Sequence, residues 1–323
     1  MITHALQLMG NYWLEEIQPE DLPVLKQLPG LAEALSDDQA DALTDLAVEY
    51  QRLFGFNLPP YESVFIDPSA MLNAPATARV ERLYQQAGWA PPAGVRYAAP
   101  DHIGLELLAL ADMLQTDMLA APPLLINHLA LWAPIFLLTL ERLDPHPFYA
   151  RLAELTLALI LETLPDNPIP SGIDPFPSLP PAPVYRGTYQ PAPGQPELEV
   201  EALKGQPIQG DSLRQVLDHL LIPRAAGLYL TRQDLAAAAL ALELPGVVGD
   251  REHTLKTVLQ LAAQYELLSE LFEQLVNLCQ REISAYADLE RDNPAWAAYA
   301  KAWQQRLENT IQFLRQLDLQ AMA

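Results

Sequence analysis

Pro122-Pro123-Leu124-Leu125-Ile126-Asn127-His128-Leu129-Ala130-Leu131-Trp132-Ala133-Pro134-Ile135-Phe136-Leu137-Leu138-Thr139-Leu140 lies within an uncharged run from Met118 to Leu140, between Asp117 and Glu141. That length is enough to cross a bilayer. The residues argue instead for a core helix of a water-soluble bundle. Pro122-Pro123 suits a helix start, where the missing N–H costs nothing. Asn127, His128 and Pro134 interrupt the apolar run, and no Lys/Arg cluster flanks either end. The expectation is a buried helix from Pro122 to Arg142 and no integral membrane segment.

Working outward, residues 1–164 read as helices joined by short turns. Ala40, Leu43, Leu46, Ala47, Tyr50 and Phe54 recur at three- and four-residue steps, which predicts a helix over 37–54 with Ser36 as its N-cap. Val80, Leu83, Tyr84 and Ala87 mark another from Pro75, stopped by Gly88. Asp101 opens a third to about Gln115, and Pro147 a further one to Leu164. Between Pro165 and Pro196 there are eleven prolines in 32 residues, so no helix can cross. Residues 165–210 read as a proline-rich linker or a strap over a domain, and Pro175, Phe176, Pro177 and Leu179 are apolar enough to dock.

Helices return in 211–323. One spans about Asp211 to Leu221, and another runs from Arg232 to Leu242 behind a Thr231 N-cap. A single long helix is predicted from Arg251 to about Ala285. Asn293-Pro294 opens a last one to about Leu317, with Trp296, Tyr299, Trp303, Leu307, Ile311 and Leu314 along one side. The last two read as an antiparallel hairpin, either added to the first bundle or completing it. No convincing sheet pattern or helical repeat appears, so the fold class is all-α: a multi-helix bundle over 1–164, the proline-rich segment, and extra C-terminal helices over 211–323.

The chain has 323 residues, 19 Lys+Arg against 41 Asp+Glu, and a net charge of −22. Such a charge repels phosphate backbones and disfavours nucleic acid or an anionic membrane as partner. It is uneven: residues 1–164 carry 7 basic against 21 acidic side chains, or −14, so a cationic ligand would be drawn there. The lone Cys279 excludes a disulfide framework and cysteine-based metal centres. No basic n-region precedes an apolar stretch at Met1-Ile2-Thr3-His4-Ala5, so the expected compartment is the cytoplasm. Neither phosphate-binding glycine loops, HExxH nor GxSxG occurs, which lowers the expectation of an enzyme; no cofactor is implied.

Two polar clusters stand out. In Pro100-Asp101-His102, followed by Glu106, His102 and Glu106 share a helix face and Asp101 sits at the helix start. Three readings stay open. One is a metal site of Asp101, His102 and Glu106, with His128 or His146 as a further ligand, in a helical metal-dependent enzyme. Another is a capping Asp beside a partly buried, hydrogen-bonded His, and the third is a recognition pocket. The second cluster is Pro59-Pro60-Tyr61-Glu62-Ser63-Val64-Phe65. It reads either as an extended loop whose aromatics plug the core, or as aromatic and carboxylate groups suited to an apolar peptide bearing arginine.

Glu49-Tyr50-Gln51-Arg52-Leu53-Phe54 with the Pro59–Phe65 cluster resembles a signature of the TorD/DmsD/NarJ redox-enzyme maturation chaperones. Pro100-Asp101-His102-Ile103-Gly104-Leu105-Glu106-Leu107 resembles their second signature, and the segments around His128–Pro134 and Pro147-Phe148-Tyr149 are similar to the helices that follow. The resemblance covers about residues 5–163. It implies a cytoplasmic all-helical chaperone, not an enzyme, that binds the twin-arginine signal peptide or apo form of a molybdenum-cofactor oxidoreductase subunit, assists cofactor insertion and delays export. Carried over, the peptide-binding residues would be Tyr61, Glu62, Ser63, Phe65, Pro100, Asp101, His102, Glu106 and Trp132. A scaffold for a cytoplasmic redox subunit is the other non-enzymatic alternative, and the protein would be a monomer or a helix-swapped dimer.

Overall fold

The computed structural model describes residues 2–28, 30–35, 39–55, 57–116, 119–170, 172–180 and 210–321. Among these residues the architecture is helical, and its one extended pairing is the antiparallel bridge between Tyr61 and His102. The expected Ser36 cap and most of the proline-rich segment lie outside the described residues.

Helix α1 (Ile2–Leu14) lies against α6 (Ile103–Thr116), with a short α2 (Leu22–Leu25) after it. Glycines permit the α1–α6 approach: a Cβ at Gly104 would stand 2.5 Å from the Gly10 carbonyl oxygen. Helix α3 (Gln39–Tyr50) widens into a π-turn at Gln51–Gly55, which carries Phe54 into an aromatic cluster. Phe54 meets Trp13 at 5.6 Å and Tyr149 at 5.7 Å, edge to face, and Trp13 meets Phe136 at 5.5 Å. Each such contact adds to the burial of large rings, and together they tie α1, α3, α8 (Ala130–Arg142) and α9 (Pro147–Thr163) into one core. Between them lie α4 (Glu62–Ile66) and α5 (Thr77–Ala87), the latter ended by Gly88 in the left-handed conformation as the sequence predicts.

The uncharged run forms α7 (Ala121–Leu124), a π-turn at Leu125–Leu129 and α8 without a break. Most of it is buried inside the protein, as expected for a core helix. Pro134 lacks the N–H that would bond the Ala130 carbonyl four residues earlier. Trp296 Nε1 donates to that carbonyl at 2.8 Å, and Trp303 Nε1 donates to Leu131 O at 2.8 Å. Tyr299 donates to Ile126 O in the π-turn, also at 2.8 Å. The aromatic side of the last helix thus satisfies carbonyls along the core helix, a requirement for buried backbone groups.

The C-terminal part comprises α10 (Gly210–Leu220), α11 (Pro223–Ala226), α12 (Arg232–Ala241), α13 (Arg251–Gln264), α14 (Leu268–Asp292) and α15 (Ala297–Ala321). Thr231 and Asp234 form a reciprocal capping box on α12. The last two helices form the expected hairpin around Pro294. The single helix predicted from Arg251 to Ala285 is instead two helices, α13 and α14. Leu267 N donates to Ala262 O at 2.7 Å and Glu266 N to Ala263 O at 3.3 Å, with Glu266 at φ 60°. This is a Schellman stop with glutamate in place of glycine, so the usual sequence signal is missing. Within the strap, Phe176 is buried while Ile173 and Asp174 are exposed.

Candidate functional site

The two signature segments are paired by their backbones. Pro59-Pro60 cannot donate and keep the chain extended before α4. Ile103 N donates to Pro60 O at 3.0 Å and Glu62 N to Asp101 O at 2.9 Å. The Tyr61 and His102 rings stack edge to face at 4.9 Å. Asp101 does act as a cap, though of α4 and not of its own helix: its Oδ2 accepts from Ser63 N at 2.7 Å. The carboxylate thereby satisfies an orphan donor of the neighbouring helix. His102 serves its own helix, its Nδ1 accepting from Gly104 N at 3.0 Å.

Behind this pairing sits a cluster of buried charge. Glu62 Oε2 is 2.7 Å from His128 Nδ1 and Glu62 Oε1 is 3.3 Å from Arg79 Nη1. The π-turn at Leu125–Leu129 sets the position of His128, and Arg79 also donates to Asn127 O in that turn at 3.3 Å. Trp132 Nε1 donates to Glu106 Oε2 at 3.3 Å, while Glu106 Oε1 has no hydrogen-bond partner among the described residues. Phe65 lies 5.4 Å from the Trp132 ring.

All nine site residues expected from the sequence are brought together, but not as an open surface. Glu62, Ser63, Phe65, Asp101, Glu106 and Trp132 are wholly buried and His102 is 3% exposed; only Tyr61 and Pro100 are partly exposed. The physical reason is capping and pairing across segments, with Ser63 Oγ, Asp101 Oδ1 and Glu106 Oε1 left without a hydrogen-bond partner among the described residues. Near Tyr61, Asn73 Nδ2 reaches Ala98 O at 3.5 Å, and Met71, Leu72 and Tyr97 beside that contact are exposed. The sequence analysis missed Arg79. Its signal was its rarity, as one of few cations in a strongly acidic half that would need a counter-ion for any buried carboxylate. It also missed Tyr84, whose hydroxyl donates to Pro100 O at 3.3 Å.

The electrostatics follow from burial. Loss of water raises the Glu106 carboxyl well above the usual range, and the neighbouring Glu62 and Asp101 raise it further, against Trp132 and Arg79. Burial also raises Asp101, with Ser63 opposing. Burial alone lowers His102 to about 3, so its imidazole is neutral. His146 lies elsewhere, as the N-cap of α9 accepting from Phe148 N at 3.2 Å. Among the described residues, no group of three or more His, Cys, Asp or Glu side chains is placed to hold a metal ion. His102 Nδ1 is instead engaged by the backbone, and Glu106 by an indole.

The raised Glu106 has a measurable consequence. It takes up a proton in the folded protein at a higher pH than in the unfolded chain, so its contribution to stability declines as pH rises from the ordinary carboxylate range through the folded value. Glu106→Gln, an uncharged near-isostere, is expected to keep or raise stability at pH 7 and to flatten that decline. Urea unfolding at several pH values from about 5 to 8 checks this. A loss above about 1 kcal/mol at pH 7, the size of one net hydrogen bond, would contradict it.

Residues 18–137 match the family described as nitrate reductase delta subunit. Both paired segments and Trp132 fall within the match, and α9 to α15 follow it. No curated protein matches the chain.

Proposed function

We propose that the chain, whose residues 18–137 match the nitrate reductase delta subunit family, a family of redox-enzyme maturation chaperones, binds the apo catalytic subunit of a molybdoenzyme through its twin-arginine signal peptide, in the cytoplasm, and holds it until the cofactor is inserted. The observation that carries this reading is the match itself, whose span contains both paired segments. The acidity of residues 1–164 supports it, since a peptide with two adjacent arginines is attracted to that part. The apolar part of such a peptide would be met by Tyr61, Met71, Leu72 and Tyr97 on the exposed edge of the cluster.

On this reading the buried residues act by positioning. Asp101 fixes the start of α4, Glu62 joins α4 to the His128 turn, and Trp132 braces Glu106. Tyr61 and Pro100 meet the peptide. Release requires that the apo client bind better than the mature one.

Titration of the full chain with twin-arginine signal peptides of molybdoenzymes tests the proposal, with twin-lysine versions as controls. Saturable binding is expected, weakened about tenfold or more by the lysine pair, because lysine lacks the planar guanidinium that stacks on aromatic rings such as Tyr61 and Tyr97. Asp101→Ala is expected to weaken it as well while the fold persists. Equal binding of both peptides would remove the twin-arginine assignment. Absence of binding by the folded protein would remove the signal peptide as client segment.

A further inference from the structure

The strap is seated like a bound peptide. Of residues 172–180 only Phe176 is buried, and its ring meets Trp303 edge to face at 4.9 Å. The Arg306 guanidinium lies over the same ring at 3.6 Å and that of Arg224 at 5.4 Å. Arg224 Nη2 donates to Pro177 O at 2.8 Å, and its Nη1 donates to Ile66 O at the end of α4 at 3.0 Å. Arg306 Nη2 reaches Asp174 Oδ2 at 3.3 Å, and Asp174 Oδ1 accepts from Phe176 N at 3.1 Å. The pocket therefore reads three features of one short segment: an aromatic ring, a carboxylate two residues before it, and the carbonyl of the residue after it.

Two observations separate this arrangement from ordinary core packing. A cavity of about 650 Å³ lies between the strap and the first turns of α15, lined by Pro168, Ile169, Ile173, Ala298 and Ala302 among others. This cavity is open to solvent, so the strap is anchored at Phe176 and stands off from α15 upstream of it. Further, two half-buried guanidiniums face one ring in a protein of net charge −22, and the carboxylate in contact with Arg306, Asp174, is 60% exposed. Burial lowers the proton affinity of both arginines, and Arg306 lowers that of Arg224 further. The site is thus a cationic, aromatic-floored pocket whose negative partner, Asp174, comes from an exposed stretch of the strap.

We propose that Trp303, Arg224 and Arg306 form a second recognition site, one that takes an acidic-proline-aromatic-proline segment of a partner protein, and that the chain's own Asp174-Pro175-Phe176-Pro177 occupies it as a built-in competitor. The proline on each side of the ring keeps such a segment extended, which lowers the ordering cost of binding. A tethered segment competes at a high effective concentration, so the pocket of the resting protein is filled and a partner gains access in proportion to the open fraction. The Arg224 bond to Ile66 O links the pocket to the end of α4, whose first residues are Glu62 and Ser63.

The probe is a labelled peptide of residues 172–180, Gly-Ile-Asp-Pro-Phe-Pro-Ser-Leu-Pro, added to the full chain and followed by anisotropy. Phe176→Ala empties the pocket in place and is expected to bind the peptide saturably, at least tenfold more tightly than the wild type. A peptide with alanine at the phenylalanine position is expected not to bind. Asp174→Asn, which leaves the ring seated, is expected to give an intermediate affinity and serves if Phe176→Ala loses its helical circular dichroism. Wild-type-like affinity in every folded variant, or equal binding of the alanine peptide, overturns the proposal.

Discussion

Arg142→Ala is expected to destabilise the protein by about 3–5 kcal/mol, the cost of breaking a buried ion pair from one side. Arg142 is the last residue of α8, and its Nε and Nη2 grip the two carboxylate oxygens of Asp234 at 3.0 Å each. Its Nη2 also donates to Tyr229 O at 2.8 Å, and its Nη1 lies 2.7 Å from Glu282 Oε2. The arginine side chain is 17% exposed and the two acids 10% and 7%. Burial works against the guanidinium's charge, but Asp234 and Glu282 more than offset it and strengthen its hold on the proton. Glu282 shows the converse, raised by burial and held down by Arg142. Removing the arginine leaves two buried acids without a countercharge, one of them committed to the α12 capping box. The double variant Arg142→Ala/Glu282→Leu is therefore expected to recover part of the loss, a non-additivity that a cycle of urea-unfolding measurements reads directly. A loss below about 1 kcal/mol in the single variant would place the triad with exposed surface pairs instead.

The helices were legible wherever local chemistry decides. Thr231, Gly88 and Pro122-Pro123 mark ends that the structure uses. The break at Glu266 was not legible, because a left-handed glutamate leaves no glycine to read. The stripe Trp296, Tyr299, Trp303 was visible as an apolar face, but its hydrogen-bonding work was hidden. In the case of Trp296 that work depends on Pro134, more than 160 residues away, which leaves free the Ala130 carbonyl that only tertiary packing brings near the indole. The candidate site was legible as a set and illegible as an environment. Polar residues between prolines look like surface in a linear pattern, whereas Asp101 and Glu62 are buried because each satisfies a group on another segment. Arg79, on the polar side of a predicted helix, becomes a site residue only once Glu62 is known to be inside.

Acidification is expected to expose the cost of keeping His102 neutral. In the unfolded chain its imidazole takes up a proton near pH 6.5, but burial lowers the folded value to about 3. The unfolded state therefore binds more protons across that window, and stability present above pH 6.5 is lost as pH falls, by about 1.4 kcal/mol per unit. Between pH 6.5 and 4.5 the loss from this residue is about 2–3 kcal/mol. Glu106 and Asp101, raised by burial, act with the opposite sign from the ordinary carboxylate range upward, because they take up protons in the folded state first. The wild-type curve alone thus understates the effect. His102→Asn isolates it: the asparagine oxygen is placed to accept from Gly104 N as Nδ1 does, but it does not titrate. The variant is expected to lose about 2–3 kcal/mol less than the wild type between pH 6.5 and 4.5 in paired urea-unfolding series. Parallel curves for the two proteins would show that the imidazole is charged or solvated in the folded state, and would reopen the junction between Tyr61 and His102 as a wet surface.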